Sequence, residues 1–459
     1  MVSCDSIRSI IKEATSNASF LGRKKSNNII LPSSAGQSRN TFFTDKKHIT
    51  DKEKIAFLKE IDQYILNKYP GLTSRVVSHF VLEMEKQLLT SDNGESYSMI
   101  PRAGIGCSMT LMKNGSPVSL GDAFGGFGQF EDLFSDPSLL YPEIDTIYER
   151  MTEFSDYVKQ NYSTLILEQF VVKFIHNNGY FMNSNGIDLS LESGCYSVFP
   201  MFTSKEGKNT SSFNYCGATI DNLDKPFIEL GRFAELMKES TEQIVTKPVP
   251  DNFIGDIIIT PECLEDFLYN FEQMIGSYTL ITDTCLYKDK INQKIATDSF
   301  TLHSKPLSDD FVNYAPYDSD GFLNSNTVYI DKGILKSFIL GLYGSKKTGL
   351  PRSANLGNYW EVEAGDKSQA EIIKSVNKGI LLCRFSGGSP AENGDFSGVA
   401  KNSYYIEDGK IQYPVSETMI SGNIVQMLLD IQAISKERLN YGSSLLPWIS
   451  VANINISGK

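Results

Sequence analysis

The sequence predicts an α+β fold, with a mixed α/β N-terminal domain over residues 1–245 and a β-rich C-terminal domain over residues 246–459. Three observations support this class. Apolar residues recur at helical spacing in parts of the first half. Short β segments separated by Gly- and Asn-containing turns dominate the second half. Between the halves, the two prolines of residues 247–250 interrupt regular structure and predict the domain boundary.

The N-terminal domain is expected to begin with helices and to continue with strands. Helical spacing of apolar residues predicts amphipathic helices over residues 51–68 and 73–89. After Pro101 the period changes to two, and the Asn-Gly pair at residues 114–115 predicts a hairpin because it readily adopts positive φ. The remaining predicted elements are a helix over 142–160, turns at 177–179 and 183–186, and a helix over 225–243.

The C-terminal domain is predicted to open with a strand over residues 255–260 and a helix over residues 261–276. Many short strands follow, and one late helix is predicted over residues 423–434. Aspartate and glycine mark the tight connections between these strands. The predicted turns lie at residues 318–321, 331–333 and 408–409.

The charge balance argues against contact with nucleic acid. The formal net charge is -12, and the short basic clusters at residues 23–25 and 46–48 are diluted by polar neighbours, whereas a duplex-binding surface needs clustered Lys and Arg. No apolar run reaches the roughly 18 residues of a membrane span, and the polar N-terminus is unlike a signal peptide. The sequence therefore predicts a cytoplasmic protein that binds neither nucleic acid nor membranes, with its 7 scattered cysteines reduced.

The residue patterns of known catalytic and cofactor sites are missing. A hydrolytic zinc needs about three protein ligands, yet none of the 4 histidines belongs to a pair one helical turn apart. Residues 394–398 place their serine wrongly for a nucleophile elbow, and residues 341–349 lack the final triplet of a phosphate loop. The sequence therefore predicts no catalytic residue, no metal ligand and no cofactor.

Gly- and Asn-rich connections in the C-terminal half are candidates for a binding groove. They lie at residues 344–358, 386–389 and 393–398. Glycine lets two backbones approach closely and asparagine satisfies backbone amides, so these segments suit an extended peptide held by strand addition. The competing interpretation is that they are ordinary loops of a β-rich domain. The candidate substrate-binding residues are Arg352, Asn355, Asn358, Gly387 and Gly388.

Four segments of the C-terminal half carry a family resemblance. They are the Asp-rich turn and hairpin at residues 317–340, the Thr-Gly loop at 348–355, the NGDFSGVAKN segment at 393–402, and the stretch at 403–434 in which Pro-Val follows Asp-Gly and Gly-Asn opens a helix. In this order they resemble the TldD/PmbA family, also called modulators of DNA gyrase. The resemblance covers roughly residues 254–459 and is weaker in the N-terminal half.

The resemblance implies an α/β domain, a β-rich domain and dimers that enclose a peptide-holding cavity. In TldD-like members a His-Glu-x-x-x-His helix and a later Cys hold zinc, whereas the PmbA branch, also called TldE, lacks this site and pairs with a TldD subunit. The alignment places residues 272–273 and 276–277 at the helix positions, and no Cys follows Cys383. The chain therefore resembles the branch without the zinc motif. Glu272 is either a lone carboxylate near the cavity or part of a solvated helix face.

Three functions remain open at this point. The leading hypothesis is a non-catalytic, peptide-binding subunit of a cytosolic TldD/TldE-type metalloprotease involved in peptide maturation or degradation. Its partner is then a TldD-like zinc-bearing subunit or a second copy of the chain. The alternatives are a self-sufficient peptidase with an unrecognised site, against which the missing ligands argue, and a regulator of DNA gyrase or another protein target. The acidic charge argues against regulation through DNA.

Overall fold

A computed structural model describes the chain as two compact units, one within residues 1–142 and the other within residues 143–459. Both units contain helices and sheets, which confirms the predicted α+β class. The domain boundary between residues 245 and 246 stays a prediction. None of the described helices is long and apolar enough to cross a membrane. The described residues are 8–16, 37–89, 94–113, 115–134, 144–183, 186–416 and 418–458.

The first unit combines short helices with two three-stranded sheets. Its described helices are α1 (8–16), α2 (Asp51–Lys68) and α3 (Phe130–Phe134). Its described strands are β1 (Gln37–Thr41), β2 (Leu72–Leu82), β3 (Glu85–Leu89), β4 (Glu95–Met99), β5 (Arg102–Lys113) and β6 (Ser116–Phe127). The sheet orders are β1-β4-β3 and β2-β5-β6. Strands β5 and β6 form the hairpin that the sequence predicts.

Helix α2 covers the range predicted for it. Thr50 accepts a hydrogen bond from the Glu53 amide while the Glu53 carboxylate accepts one from the Thr50 amide, a reciprocal cap that fixes the helix start. The helix predicted over residues 73–89 is wrong, because this stretch forms β2 and β3. Strand β2 pairs with β5 along its length, so pairing between distant segments overrides the local helical spacing.

The second unit contains a five-stranded sheet and a thirteen-stranded sheet among its described residues. Its helices are α4 (Ile144–Asn161), α5 (Phe233–Glu242), α6 (Pro261–Met274), α7 (Ser277–Ile281), α8 (Leu342–Thr348), α9 (Gln369–Ser375) and α10 (Ile424–Leu429), with a 3₁₀ turn at Phe227–Glu229. The smaller sheet contains β7 (Leu165–Met182), β8 (Asp188–Glu206), β9 (Asn209–Thr210), β10 (Asn214–Tyr215) and β11 (Ala218–Ile220).

The larger sheet is organised around its last strand. Its members are β12 (Phe253–Ile259), β13 (Leu302–Ser304), β14 (Thr327–Asp331), β15 (Ile334–Leu335), β16 (Trp360–Val362), β17 (Lys378–Leu382), β18 (Arg384–Gly387), β19 (Asp395–Lys401), β20 (Tyr404–Glu407), β21 (Lys410–Pro414), β22 (Thr418–Asn423), β23 (Ile431–Asn440) and β24 (Leu445–Ser457). Strand β24 pairs antiparallel with β12, β22 and β23 and parallel with β16.

Several predicted elements of the second unit are confirmed and three need correction. The strand at 255–260, the helix at 261–276 and the turns at 318–321, 331–333 and 408–409 are present. The predicted turn at 177–179 instead lies within β7, where Asn177 pairs with Ser193. The helix predicted over 225–243 is shorter and covers Phe233–Glu242. The late helix, predicted over 423–434, ends at Leu429 because Ile431 begins β23, which pairs with β24. The turn at 183–186 joins β7 to β8, with residues 184 and 185 outside the described range.

Candidate functional site

Helix α6 presents one face to the core and another to a groove. Cys263, Leu264, Phe267, Leu268 and Phe271 are buried in the main hydrophobic cluster of the second unit. The polar face repeats every three or four residues, which places its members side by side along the helix. These residues are Glu262, Glu265, Tyr269 and Glu272.

Two adjoining cavities follow this polar face. One, of about 340 Å³, is lined by Tyr269, Glu272, Asn358 and Trp360, and the other, of about 240 Å³, by Glu262, Arg384, Cys216 and Tyr441. Because Glu265 and Ser443 line both cavities, we treat the two as one depression and call it the α6 groove.

Glu272 is half-buried in the α6 groove rather than on a solvated helix face. The Trp360 indole Nε1 donates a hydrogen bond of 3.2 Å to Glu272 Oε2. Burial raises the pKa of Glu272, while the bonds from Trp360 and from the Asn358 backbone amide oppose this shift. The carboxylate is therefore oriented by two donors and keeps acceptor capacity toward the groove.

The loop that meets Glu272 has an unusual backbone. Gly357, Asn358 and Tyr359 are consecutive residues with φ values of +81°, +61° and +52°. Only glycine adopts this left-handed region without cost, so Asn358 and Tyr359 are held there by their surroundings. A Cβ on Gly357 would lie 3.2 Å from Glu272 Cδ, which shows how closely the loop approaches the carboxylate.

Glu265 forms the junction of the two cavities. The Ser444 hydroxyl donates a short hydrogen bond to Glu265 Oε1. Part of the residue is open to solvent, yet the protein packed around its carboxyl group raises its pKa. Beside it, Tyr441 is only 8% exposed, and burial together with the neighbouring Glu262 carboxylate raises the pKa of its hydroxyl.

A buried ion cluster anchors the first turn of α6. Arg232 donates to both oxygens of Glu262 at 3.3 Å and makes a short bond to Glu239. The single positive charge of Arg232 thus faces two carboxylates away from water. Keeping the second carboxylate ionised there costs free energy. Burial raises the pKa of Glu239 to about 7, although Arg232 acts in the opposite direction.

The five predicted substrate-binding residues do not all lie together. Asn358 lines the α6 groove. Arg352 instead pairs with the buried Asp318, with Nη1 2.8 Å from Oδ2, and stacks its guanidinium 4.1 Å from the Phe322 ring centre. These contacts hold the Asp-rich turn at residues 318–321, so they show a structural role for Arg352. Binding of substrate by either residue stays a prediction.

Asn355 is a buried hydrogen-bond hub with 1% exposure. Its Oδ1 accepts from the Ser304 hydroxyl, the Tyr329 hydroxyl and the Gly357 amide at 3.1, 3.1 and 3.0 Å. Its Nδ2 donates to the Ser325 carbonyl at 2.8 Å. The side chain therefore ties the loop of residues 355–359 to the larger sheet, and it acts on the groove through that loop.

Gly387 and Gly388 lie at the end of β18. Among the described strands, β18 pairs with β19 alone, and its last two residues are exposed. A Cβ on Gly387 would be 2.8 Å from the Ser397 carbonyl oxygen, whereas one on Gly388 would meet no atom within 4 Å. The following residues, 389–392, line a further cavity of about 340 Å³ with Asn270 and Gln273 of α6.

The described residues do not fit a zinc ion. They contain no group of three or more His, Cys, Asp or Glu side chains placed to hold a metal. Helix α6 has no histidine and ends at Met274, so the aligned positions 272 and 277 do not share one helix. The two histidines of the second unit pair with carboxylates, His176 with Glu192 and His303 with Glu363.

The described thiols do not resemble catalytic nucleophiles. Cys216, Cys263 and Cys383 are buried, and burial raises the pKa of all three. A reactive cysteine requires the opposite, a lowered pKa and an accessible sulfur. Cys216, the thiol that lines the α6 groove, therefore has neither property.

Sequence reasoning missed Glu265, Tyr269, Trp360 and Tyr441 as groove residues. A signal for the first two was present, because polar residues repeat at helical spacing opposite the apolar face of α6. Trp360 and Tyr441 carry no such signal. They reach the groove only through the pairing of distant strands.

Comparisons with known proteins place this geometry in a family. Residues 254–458 match the profile of the PmbA/TldA metallopeptidase C-terminal domain, and residues 45–155 match that of the PmbA/TldA metallopeptidase central domain. A metalloprotease PmbA homolog of Buchnera aphidicola is 28% identical over 59% of this chain and 62% of its own length. The metalloprotease PmbA of Escherichia coli O157:H7 is 29% identical over 36% and 38%. The chain thus spans less than two thirds of these curated relatives.

Solved structures show the same fold. TldE from Thermococcus kodakarensis superposes with a TM-score of 0.62 and 16% identity, covering 87% of this chain and 99% of that one. A Bacteroides thetaiotaomicron protein, named as a candidate modulator of DNA gyrase, superposes with a TM-score of 0.60 and 20% identity, covering 90% and 100%.

Substitutions of Asn355 and Asn358 distinguish a residue that supports the loop from one that only lines the groove. Asn355→Ala leaves several buried polar groups unpaired and is expected to lower the free energy of unfolding by about 3 kcal/mol. Asn358→Gly keeps the left-handed backbone and is expected to change the free energy of unfolding by less than about 0.5 kcal/mol. Chemical denaturation measures both. Equal destabilisation by the two variants would contradict the distinction.

The ion cluster predicts a pH dependence of stability. The folded pKa of Glu239, about 7, exceeds its ordinary value of 4.5, so the folded chain holds a proton that the unfolded chain releases as pH rises. Stability from this group is therefore lost between about pH 4.5 and 7. Between pH 5 and 8, wild type should lose on the order of 2 kcal/mol more than Glu239→Gln. Parallel stability curves for the two proteins would show that Glu239 titrates normally.

Proposed function

Because this chain belongs to the PmbA/TldD metallopeptidase family, we propose that it is a peptide-binding subunit without a catalytic zinc of its own. It acts in a cytosolic TldD/TldE-type metalloprotease that matures or degrades peptides. A TldD-like partner supplies the zinc, and the two chains form the working dimer. The observation that carries this proposal is the α6 groove, whose helix contains no histidine and faces a polar cavity instead.

The shape and chemistry of the groove support the binding of an extended peptide. It combines carboxylates, hydroxyls and amides along about three turns of α6. Nearby, the end of β18 is exposed and is followed by Gly388, and main-chain hydrogen bonds to an exposed strand end recognise a peptide with little sequence preference.

The two alternative functions have less support. A self-sufficient peptidase needs an activated water or nucleophile, and the described residues provide neither a zinc ligand set nor a thiol with lowered pKa. A regulator of DNA gyrase is suggested by the name of a similar structure. Such a regulator would act by protein contact, since the net charge of -12 disfavours contact with DNA. Capture of gyrase subunits by the purified chain tests that alternative.

Reconstitution with a partner tests the division of labour. The chain alone is expected to show negligible cleavage of an unfolded peptide, with or without added zinc, since its described residues form no zinc site that could generate hydroxide. Addition of a TldD-like partner from the same source should produce cleavage that a chelator abolishes. Cleavage that resists chelation and follows this chain through several columns would contradict the proposal.

The edge of β18 provides a test of peptide binding with a matched control. Gly388→Val adds a side chain in open space at the edge and should weaken peptide binding about tenfold or more by blocking backbone approach. Gly71→Val makes the same change at another open position of the first unit, and neither glycine has a left-handed φ. Gly115 is a poorer control because its φ is +79°.

Binding of a fluorescent peptide is measured by anisotropy with the TldD-like partner present, after both variants have been checked for folding by circular dichroism. Equal binding by Gly388→Val and Gly71→Val would mean that the residues after β18 are only a turn.

A further inference from the structure

A cavity of about 550 Å³ lies on one face of the larger sheet, over strands β19, β22 and β24. Val399, Met419 and Ser457 line it, and the strand registers place these residues directly opposite one another. The alternate residues Ala400 and Ile420 are buried in the core, so the floor of the cavity is the face of the sheet that points away from the core. We call it the β22 cavity. Its volume falls within the range of roughly 300 to 1,000 Å³ that is common for ligand sites.

The β22 cavity contains a positive charge without a counter-ion. Lys401 is the only charged residue among its described lining residues. The Lys401 ammonium lies 5.8 Å from the centre of the Phe213 ring, and no carboxylate of a described residue is within ion-pair distance of it. A ligand with an anionic oxygen would supply the missing partner, and a charge-assisted hydrogen bond to an ammonium is among the stronger polar contacts in proteins.

The hydroxyl groups of the cavity are also free to bind a ligand. Five hydroxyl side chains line it, and none of them makes a hydrogen bond to another described residue. They are contributed by β9, by the segments that follow β9 and α5, and by the larger sheet, so distant parts of the chain converge here. Hydroxyl groups donate readily to carboxylate oxygens. The five residues are Thr210, Ser212, Thr246, Ser416 and Ser457.

A separate observation in the same cavity points to a ligand with an N–H group. Asn402 lines the cavity and is only 4% exposed. Its Nδ2 donates to the Phe213 carbonyl oxygen at 3.1 Å, whereas its buried Oδ1 has no hydrogen-bond partner among the described residues. A buried acceptor without a donor is destabilising, so a ligand N–H that reaches it gains free energy.

The β22 cavity lies beside the α6 groove. Lys401 of β19 pairs directly with Arg384 of β18, and Arg384 lines the α6 groove. The Cα atoms of such paired residues are about 5 Å apart. An extended peptide advances about 3.3 Å per residue, so a peptide of a few residues is long enough to reach both sites.

We propose that the β22 cavity binds a carboxylate-bearing residue of a peptide, with the carboxylate on Lys401 and a backbone N–H of the peptide on Asn402 Oδ1. The hydroxyls complete the hydrogen bonds of the carboxylate, and the apolar atoms of the peptide lie against Val399 and Met419. The carboxylate comes from the peptide C-terminus or from an acidic side chain. This inference rests on the proposed peptide-binding function and adds a second site and the chemical class of its ligand.

The test is calorimetric titration of the full-length chain with three peptides. They are Nα-acetyl-Ala-Ala-Ala-Ala-Leu with a free carboxylate, its C-terminal amide, and Nα-acetyl-Ala-Ala-Asp-Ala-Leu amide. The inference predicts that at least one of the two peptides with a carboxylate binds about tenfold more tightly than the uncharged amide. The peptide that binds more tightly identifies the C-terminus or the acidic side chain as the source.

A pair of lysine variants locates the charge. Lys401→Met should weaken binding of the carboxylate peptide at least about tenfold and leave binding of the uncharged amide within about twofold. Lys410→Met removes the same charge from an exposed position of β21 that does not line the β22 cavity, and it should change the affinity for every peptide less than about twofold.

A third variant tests the N–H contact. Asn402→Gly keeps the left-handed backbone at φ +50° and removes the unpaired acceptor. All three peptides contain backbone N–H groups, so this variant should weaken each of them about fivefold and preserve the preference for a carboxylate. Thermal melting checks that each variant is folded. Unchanged binding by folded Asn402→Gly would reject the contact with Oδ1.

Two results would overturn the carboxylate site alone: equal binding of all three peptides by the wild-type chain, or equal effects of Lys401→Met and Lys410→Met. In both cases peptide still binds, so the proposed function stands. Failure of every peptide to bind would contradict the proposed function as well. Tight binding of inorganic phosphate that is lost in Lys401→Met would assign the cavity to a phosphate ligand and reject the inference.

Discussion

The packing of helix α6 on the larger sheet is the constraint on which the rest of the second unit depends. Phe267 and Phe271 are buried in the core, so the 3.6-residue period turns Glu265 and Glu272 toward the groove. The ion cluster of Arg232, Glu239 and Glu262 then fixes the start of the helix. Rotation of α6 by one residue would bury its carboxylates, and the groove exists because the apolar face forbids that rotation.

The loop at residues 355–359 is the second element that orients the groove. Asn355 ties this loop to Ser304 and Tyr329 of the sheet, and the bonds hold the left-handed backbone of Asn358 against Glu272. The conformational cost of that backbone, of order 1–3 kcal/mol for each such residue, is offset by the buried hydrogen bonds of Asn355. Loop, helix and sheet thus act together to orient a single carboxylate.

Local signals in the sequence explain which elements could be predicted. The helical spacing of α2, the hairpin of β5 and β6 and the apolar face of α6 are each encoded within about thirty residues, and all three are present. Residues 73–89 and the end of the late helix were mispredicted because pairing with β5 and β24 decides their structure. Pairing partners so far apart leave no trace in local spacing.

The same limit applies to the groove. Asn-rich connections directed attention to Asn358, and the helix pattern contained Glu265, yet Ser444 meets Glu265 across 179 positions of sequence. Asp318, the buried partner of Arg352, could not be inferred from composition. The lack of a histidine pair one helical turn apart was visible in the sequence, and it remains the strongest argument against a zinc site in α6.

The central claim is that this chain binds peptide but holds no zinc of its own. Native mass spectrometry of the purified chain, washed with a mild chelator and then mixed with an extended peptide, tests both parts in one measurement. The account predicts a mass for the chain plus peptide with no retained metal. A mass showing one zinc per chain that survives the chelator, or the absence of any peptide adduct, would contradict it.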